Sequence, residues 1–170
     1  MKNIKQNIKL ILLGVLALGT LAACDDERGF ADFDAGGTPS EKLNGEWYID
    51  VIDEATGTVY VQHAYHKMYD DNGKLMISDR IGEEDFSGWW LETELDYDTQ
   101  NLTFSASEAE NTSDGSIVNI TEGKILKGAA HSISGAVTDS IFFKGEFDYD
   151  PGTIIIFSGH RVTGFEEDIP

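Results

Sequence analysis

From Leu43 onward the chain alternates apolar and polar residues with a period of two, in short runs that end in turn chemistry. In the opening run Trp47, Ile49 and Val51 fall on one face, and Tyr48 and Asp50 on the other. Thr58 to Tyr69 is the next strand-like run. Asp70-Asp71-Asn72-Gly73 then supplies an Asn-Gly pair, a strong hairpin signal, before Lys74 to Arg80. Ile81 to Phe86 reads as a charged loop. Ser87 to Tyr97 gives the sharpest alternation: Trp89, Leu91, Thr93, Leu95 and Tyr97 against Trp90, Glu92, Glu94 and Asp96. That is the pattern of an antiparallel strand with one wet face. Asn101 to Ser107 returns with Leu102, Phe104 and Ala106 in register, and Glu108 to Gly115 is a polar loop. Ser116 to Lys127 follows, with Gly123 marking a bend or bulge. Gly128 to Gly135 has no clear period. Val137 to Tyr149 turns Ile141, Phe143, Phe147 and Tyr149 one way; Asp150-Pro151-Gly152 is a turn, and Thr153 to Val162 is the last strand.

About eight strands joined mostly by hairpin-length connections, with no useful helical stretch after residue 24, predict an all-β up-and-down antiparallel barrel, because closure removes the sheet edges. A β-sandwich is the competing architecture. The parity that buries Trp47 sends Ile49, Val51, Trp89, Leu91, Leu95, Ile141, Phe143 and Phe147 inward, and it requires Trp89 to be more buried than Trp90. An eight-stranded barrel is just wide enough to be filled by side chains or to hold one small ligand. Gly145, between Phe143 and Phe147, leaves room on the inner face. The expected ligand-contacting set is Trp47, Tyr65, Trp89, Leu91, Phe143 and Phe147, around an apolar pocket for an acyl chain or similar molecule. His63, Tyr65 or Tyr69 would meet a head group at the rim. The other reading is an interior filled by these same side chains.

The first 24 residues follow a different rule. Lys2, Lys5 and Lys9 precede an apolar run from Leu10 to Leu21, and small residues lead to Cys24: a secretory signal, shorter than the roughly 20 residues that span a bilayer. Leu21-Ala22-Ala23-Cys24 resembles a bacterial lipobox. The resemblance implies cleavage after Ala23 and lipidation of Cys24, and several acyl chains anchor a protein stably where one is marginal. Cys24 is the one cysteine, so once lipidated it leaves no thiol for a disulfide or a nucleophile. The domain plan is a signal over 1–23, a lipidated cysteine and acidic tether over 24–42, where Gly29, Gly36, Gly37, Thr38, Pro39 and Ser40 give linker composition, and a barrel over 43–170. Asp25-Asp26-Glu27 resembles the surface-export signal of Bacteroidota lipoproteins, which implies an outer-membrane anchor with the domain facing the exterior; an aspartate after the cysteine implies inner-membrane retention in other bacteria.

Net charge is −19, and −22 once the three signal lysines are gone. Such a surface repels phosphate backbones and argues against nucleic acid as a partner. No Gly-x-Ser-x-Gly elbow is present, and the best nucleophile–base pair is Ser158 with His160, two apart on one strand face. His63 and His66, three apart, point to opposite faces of a strand, which argues against a shared metal. No cofactor is implied. Asp139-Ser140-Ile141 resembles the O-glycosylation sequence of exported Bacteroidota proteins.

Gly45-Glu46-Trp47 resembles the Gly-x-Trp signature of lipocalins and wider calycins, with Arg161 in the last strand. In calycins such an arginine packs across the tryptophan at the closed end of the barrel, so Gly45, Trp47 and Arg161 are expected to be structural, and Trp47 and Arg161 to touch. The whole mature chain is similar to the Bacteroidota family described as lipid-binding putative hydrolases. The lipobox with its acidic run, Leu43 to Tyr48, and Gly159 to Phe165 carry that resemblance. It implies a calycin-like lipoprotein that binds a lipid or other hydrophobic small molecule. The alternatives are a lipid or ester hydrolase, and an accessory subunit of an outer-membrane uptake assembly.

Overall fold

The computed structural model describes residues 37–170. Cys24 and the Ala23–Cys24 cleavage site lie outside the described residues. Eight antiparallel strands run β1 (Gly45–Asp53), β2 (Val59–Asp71), β3 (Lys74–Ser78), β4 (Glu92–Asp98), β5 (Thr103–Glu110), β6 (Ile117–His131), β7 (Val137–Phe147) and β8 (Ile154–Arg161). Each pairs with the next, and β8 pairs with β1, so the sheet closes in strict sequence order. This is the up-and-down barrel that the alternation predicts; the sandwich is ruled out by the β1–β8 ladder from Trp47↔Arg161 to Asp53↔Ile155.

One end of the barrel, here the lower end, carries the start of β1, the end of β8 and the hairpins at 72–73, 99–102 and 132–136. The upper end carries the turn at 54–58, a long loop over 79–91, the loop at 111–116 and the turn at 148–153. A three-residue 3-10 turn, Glu166–Asp168, ends the chain.

The strand bounds differ from the sequence pattern where backbone geometry overrides alternation. Ser87–Tyr97 is not one strand: β4 starts at Glu92, and Trp90 has φ +56°, which ends extended pairing. Trp89 is nevertheless half-buried and Trp90 exposed, the order that the parity requires. β6 continues through the unreadable Gly/Ala stretch to His131, and β5 runs on to Glu110 past a register shift that includes Glu108 at φ +49°. A bulge on β6 between Thr121 and Lys124 falls at Gly123, as its position suggests. Tyr149 lies beyond the end of β7 and is exposed rather than inward. At the front of the fold, packing begins before β1: Ser40 is fully buried and donates to Asp70 Oδ2 at 3.0 Å, and Leu43 is fully buried.

Alternation places Trp47, Ile49 and Val51, Leu75 and Ile77, Leu95, Phe104, Val118 and Ile120, Ile125, Ile141, Phe143 and Phe147, and Ile155 and Phe157 in one continuous interior core. Burying each such side chain stabilises the fold by about 1.5–3 kcal/mol.

Candidate functional site

The two ends of this apolar tube are shut in different ways. At the lower end Trp47 is fully buried, and the Arg161 guanidinium carbon stands 5.1 Å from its ring centroid. Trp47 and Arg161 are also register partners across the β1–β8 ladder, so the stack is built into strand pairing. The guanidinium passes directly over Gly45, where a Cβ would lie 2.5 Å from Nη2; only glycine leaves that passage open. Arg161 Nη2 donates to the Asn44 carbonyl at 2.5 Å, and its Nε lies 3.6 Å from Asp139 Oδ2. The C-terminal turn braces the same end. Buried Asp168 accepts from the Ser134 amide at 2.6 Å and from the Thr163 hydroxyl. Burial works against its charge, but those bonds, with the Ser132 and Ser134 hydroxyls, win and hold its carboxyl down at about 2.

The upper end is closed by loop 79–91, and that closure hangs on one side chain. Asp79 is fully buried and its carboxylate accepts three successive amides: Trp89 at 2.5 Å, Trp90 at 3.0 Å and Leu91 at 2.9 Å. Its backbone also exchanges bonds with Leu91 and Ser87. The far side of the loop is tied to the next one, where Asn111 Nδ2 donates to the Trp90 carbonyl at 2.9 Å. This arrangement swings the Trp89 ring over the mouth. It stacks on Tyr60 with centroids 5.4 Å apart, and its Nε1 donates to the Tyr149 hydroxyl at 3.1 Å. Tyr60 in turn donates to Asp53 Oδ2 at 3.0 Å. Phe86 stacks on exposed Trp90 at 5.2 Å, and the Arg80 guanidinium lies over the Phe86 ring at 4.8 Å. Between Trp89, Phe147, Tyr149, Asp150, Thr153 and Ile155 is a recess of about 20 Å³. That holds a single water, against the roughly 300 Å³ or more of a typical ligand pocket.

Inside, Phe143 stacks flat on Phe157 at 4.4 Å, and Phe104 meets Phe143 edge-on at 5.7 Å. The space that Gly145 was expected to leave is taken by Phe157, whose ring would stand 3.1 Å from a Cβ there. One polar ring shares this interior. His66 is fully buried, edge-on to Phe157 at 6.2 Å and close beneath Gly88 of the loop. Burial pushes its pKa below the ordinary value, against the pull of the Asp79 carboxylate and of its bond to the Ala64 carbonyl.

Of the residues expected to contact a ligand, Trp47, Leu91, Phe143 and Phe147 are buried in the interior and Trp89 covers the mouth. Tyr65 is elsewhere. On β2 the buried positions are Ala64, His66 and Met68, so Tyr65 and Tyr69 stand on the outer wall. Tyr65 packs edge-on to Tyr48 at 6.2 Å, and burial, then Glu46, pushes its hydroxyl up to about 12. His63 is exposed in a left-handed backbone conformation. Ser158 and His160 share the outer face of β8, with Asp50 and Tyr48 as their register partners on β1. His160 Nδ1 lies 3.1 Å from the Arg161 carbonyl. Two open recesses lie on the barrel wall: one of about 630 Å³ along β4, β5 and β6, whose lining includes Asp96, Asp98, Glu122 and Lys124, and one of about 410 Å³ along β3, β4 and β5, whose lining includes Lys74, Glu94, Asp96 and Glu110.

Sequence reasoning missed two features. In the sequence His66 draws notice only as a possible metal ligand, although its alternation with Tyr65 and Lys67 places it inward. Asp79 sat at the end of a strand-like run with nothing to mark it as a loop anchor; its role depends on three amides that the chain brings back ten to twelve residues later.

The family model for "Lipid-binding putative hydrolase" matches residues 32–166, which includes all eight strands. The chain belongs to this family. A search of curated proteins gives no match. Membership in the lipid-binding putative hydrolases, together with a closed barrel whose interior is apolar, fits a binder of hydrophobic ligands.

Proposed function

We propose that this protein is a lipid-anchored outer-membrane lipoprotein, facing the exterior, that captures a lipid or other hydrophobic small molecule in its barrel. The single observation that carries the reading is the asymmetry of closure: an apolar tube sealed by strand-paired Trp47 and Arg161 at one end, and at the other covered by a loop held through Asp79. The guest enters at the upper end. Loop 79–91 swings away, Trp89 leaves Tyr60 and Tyr149, and an acyl-like chain replaces side-chain contacts among Trp89, Leu91, Phe147 and Phe143. Burial of apolar surface drives the exchange, and no covalent step is involved. Lipidation at Cys24, cleavage after Ala23 and the tether over 24–42 would hold the barrel near the membrane. Native mass spectrometry on the chain from Asp25 onward, followed by denaturing extraction, tests the reading. A discrete hydrophobic adduct released on unfolding is expected; a clean mass that stays unchanged after incubation with long-chain lipids overturns it.

The family description favours a second reading, hydrolysis of a lipid or ester. Ser158 and His160 are the candidates, since they share one face with Asp50 opposite Ser158. Turnover of a model ester, lost in Ser158→Ala and His160→Ala, would establish it. Co-purification with an outer-membrane protein would instead favour an accessory role in uptake.

A further inference from the structure

Among the described residues four buried side-chain atoms have no hydrogen-bond partner: Asn44 Oδ1, Trp47 Nε1, His66 Nε2 and Arg161 Nε. Two of them, on Trp47 and His66, belong to fully buried rings that sit side by side in the sheet. Trp47 and His66 are register partners on β1 and β2, and both side chains point inward with no solvent exposure. The Trp47 Nε1–H has no acceptor and the His66 Nε2 has no partner. The tautomer of His66 follows from its other nitrogen. Nδ1 lies 3.0 Å from the Ala64 carbonyl, which can only accept, so Nδ1 carries the proton and Nε2 is a bare acceptor. An unpaired donor and an unpaired acceptor at adjacent inward positions are costly in an apolar setting, because each loses its hydration without compensation. Apolar residues of similar volume at either position would avoid that cost.

We propose that Trp47 Nε1 and His66 Nε2 form a head-group site for the captured molecule, and that this head group is a hydroxyl or a neutral carboxylic acid. The inference rests on the capture reading above. A hydroxyl donates its proton to His66 Nε2 and accepts from Trp47 Nε1–H. A carboxylic acid does the same with its two oxygens. An ester or ether can accept from Trp47 but has no proton for His66, and a bare hydrocarbon serves neither. The guest therefore enters head first beneath loop 79–91, and its chain lies back toward Trp89 and Phe147. A water held between the two atoms would satisfy them equally, so the experiment separates water from guest.

The purified protein is titrated with 1-decanol, decanoic acid and methyl decanoate, while the 15N resonances of His66 are followed. 1-Decanol, and decanoic acid at a pH low enough to keep it protonated, should bind about tenfold more tightly than the ester, the cost of leaving one buried acceptor unpaired. His66 Nε2 should shift upfield with the alcohol and not with the ester. His66→Phe should bring the three affinities to within about twofold of one another, and His66→Gln, which keeps an acceptor, should restore part of the preference. Equal binding of all three by the native protein, or an unmoved Nε2 resonance when decanol binds, would assign the two atoms to water and overturn the head-group site while leaving capture intact. Failure of all three to bind would overturn capture itself, and the head-group site with it.

Discussion

The two ends of this barrel are closed by the same kinds of residue, a tryptophan backed by a charged partner, yet they are not equivalent. At the lower end the partners are strand neighbours: Trp47 and Arg161 face each other across a ladder, and neither can leave without breaking the β1–β8 seam. At the upper end Trp89 belongs to a loop, and its charged partner Asp79 holds backbone amides rather than the ring. The first closure is part of the fold. The second is a latch laid over it, and the opening proposed for it would cost less than unfolding.

The comparison breaks most visibly if Trp47 is removed. Trp47→Ala should cost about 3–5 kcal/mol in urea denaturation, because it deletes a fully buried ring and leaves Arg161 without a face to cover. Next comes the latch. Asp79→Asn should cost about 1–3 kcal/mol, since the amide keeps one acceptor oxygen for three donors. It should also speed amide exchange at 87–91 and the uptake of a hydrophobic probe, while leaving exchange at 45–47 unchanged. Trp89→Ala should speed uptake too, with a smaller loss of stability than Trp47→Ala, because its ring is only partly buried.

The pH response sharpens the contrast further. His66 has a folded pKa below its unfolded value of about 6.5, so the unfolded chain gains a proton that the folded chain refuses. Stability around His66, which lies beside Trp47 and beneath Gly88 of the loop, should fall as pH drops through the unfolded value. Asp168 has a folded pKa of about 2 against 3.8, so its brace at the lower end persists above that ordinary value and is lost only as pH falls toward 2. Site-resolved exchange between pH 7 and pH 3 should therefore show the surroundings of His66 loosening before the Asp168 brace. The smallest effect is expected from Lys74→Ala, whose ion pair with Glu94 is more than half exposed on both sides and should be worth no more than about 0.5 kcal/mol.

The barrel was legible because its information is local. Alternation in Leu43–Ile52 and in 91–97, the Asn72-Gly73 hairpin and the Asp150-Pro151-Gly152 turn fix strand, face and connection without long-range knowledge. The Trp47–Arg161 contact was legible through the Gly-x-Trp resemblance. What the sequence hid is set by contacts between distant residues. Trp89 and Trp90 read as strand because the pattern shows side-chain parity; it does not show that Asp79 captures their amides and bends the chain. Tyr65 was placed at a pocket for its chemistry, although its neighbours Ala64 and His66 assign it to the outer wall. Gly145 suggested space, but Phe157 comes from another strand to fill it.

The central claim is that the lower end is fixed and the upper end opens to admit a guest. Site-resolved hydrogen exchange on the protein with and without 1-decanol tests it most directly. The guest should change protection in residues 79–91 and around Tyr60 and Tyr149, with the seam at residues 161–168 unaltered. Protection that changes at residues 161–168 while loop 79–91 stays as it was would contradict it.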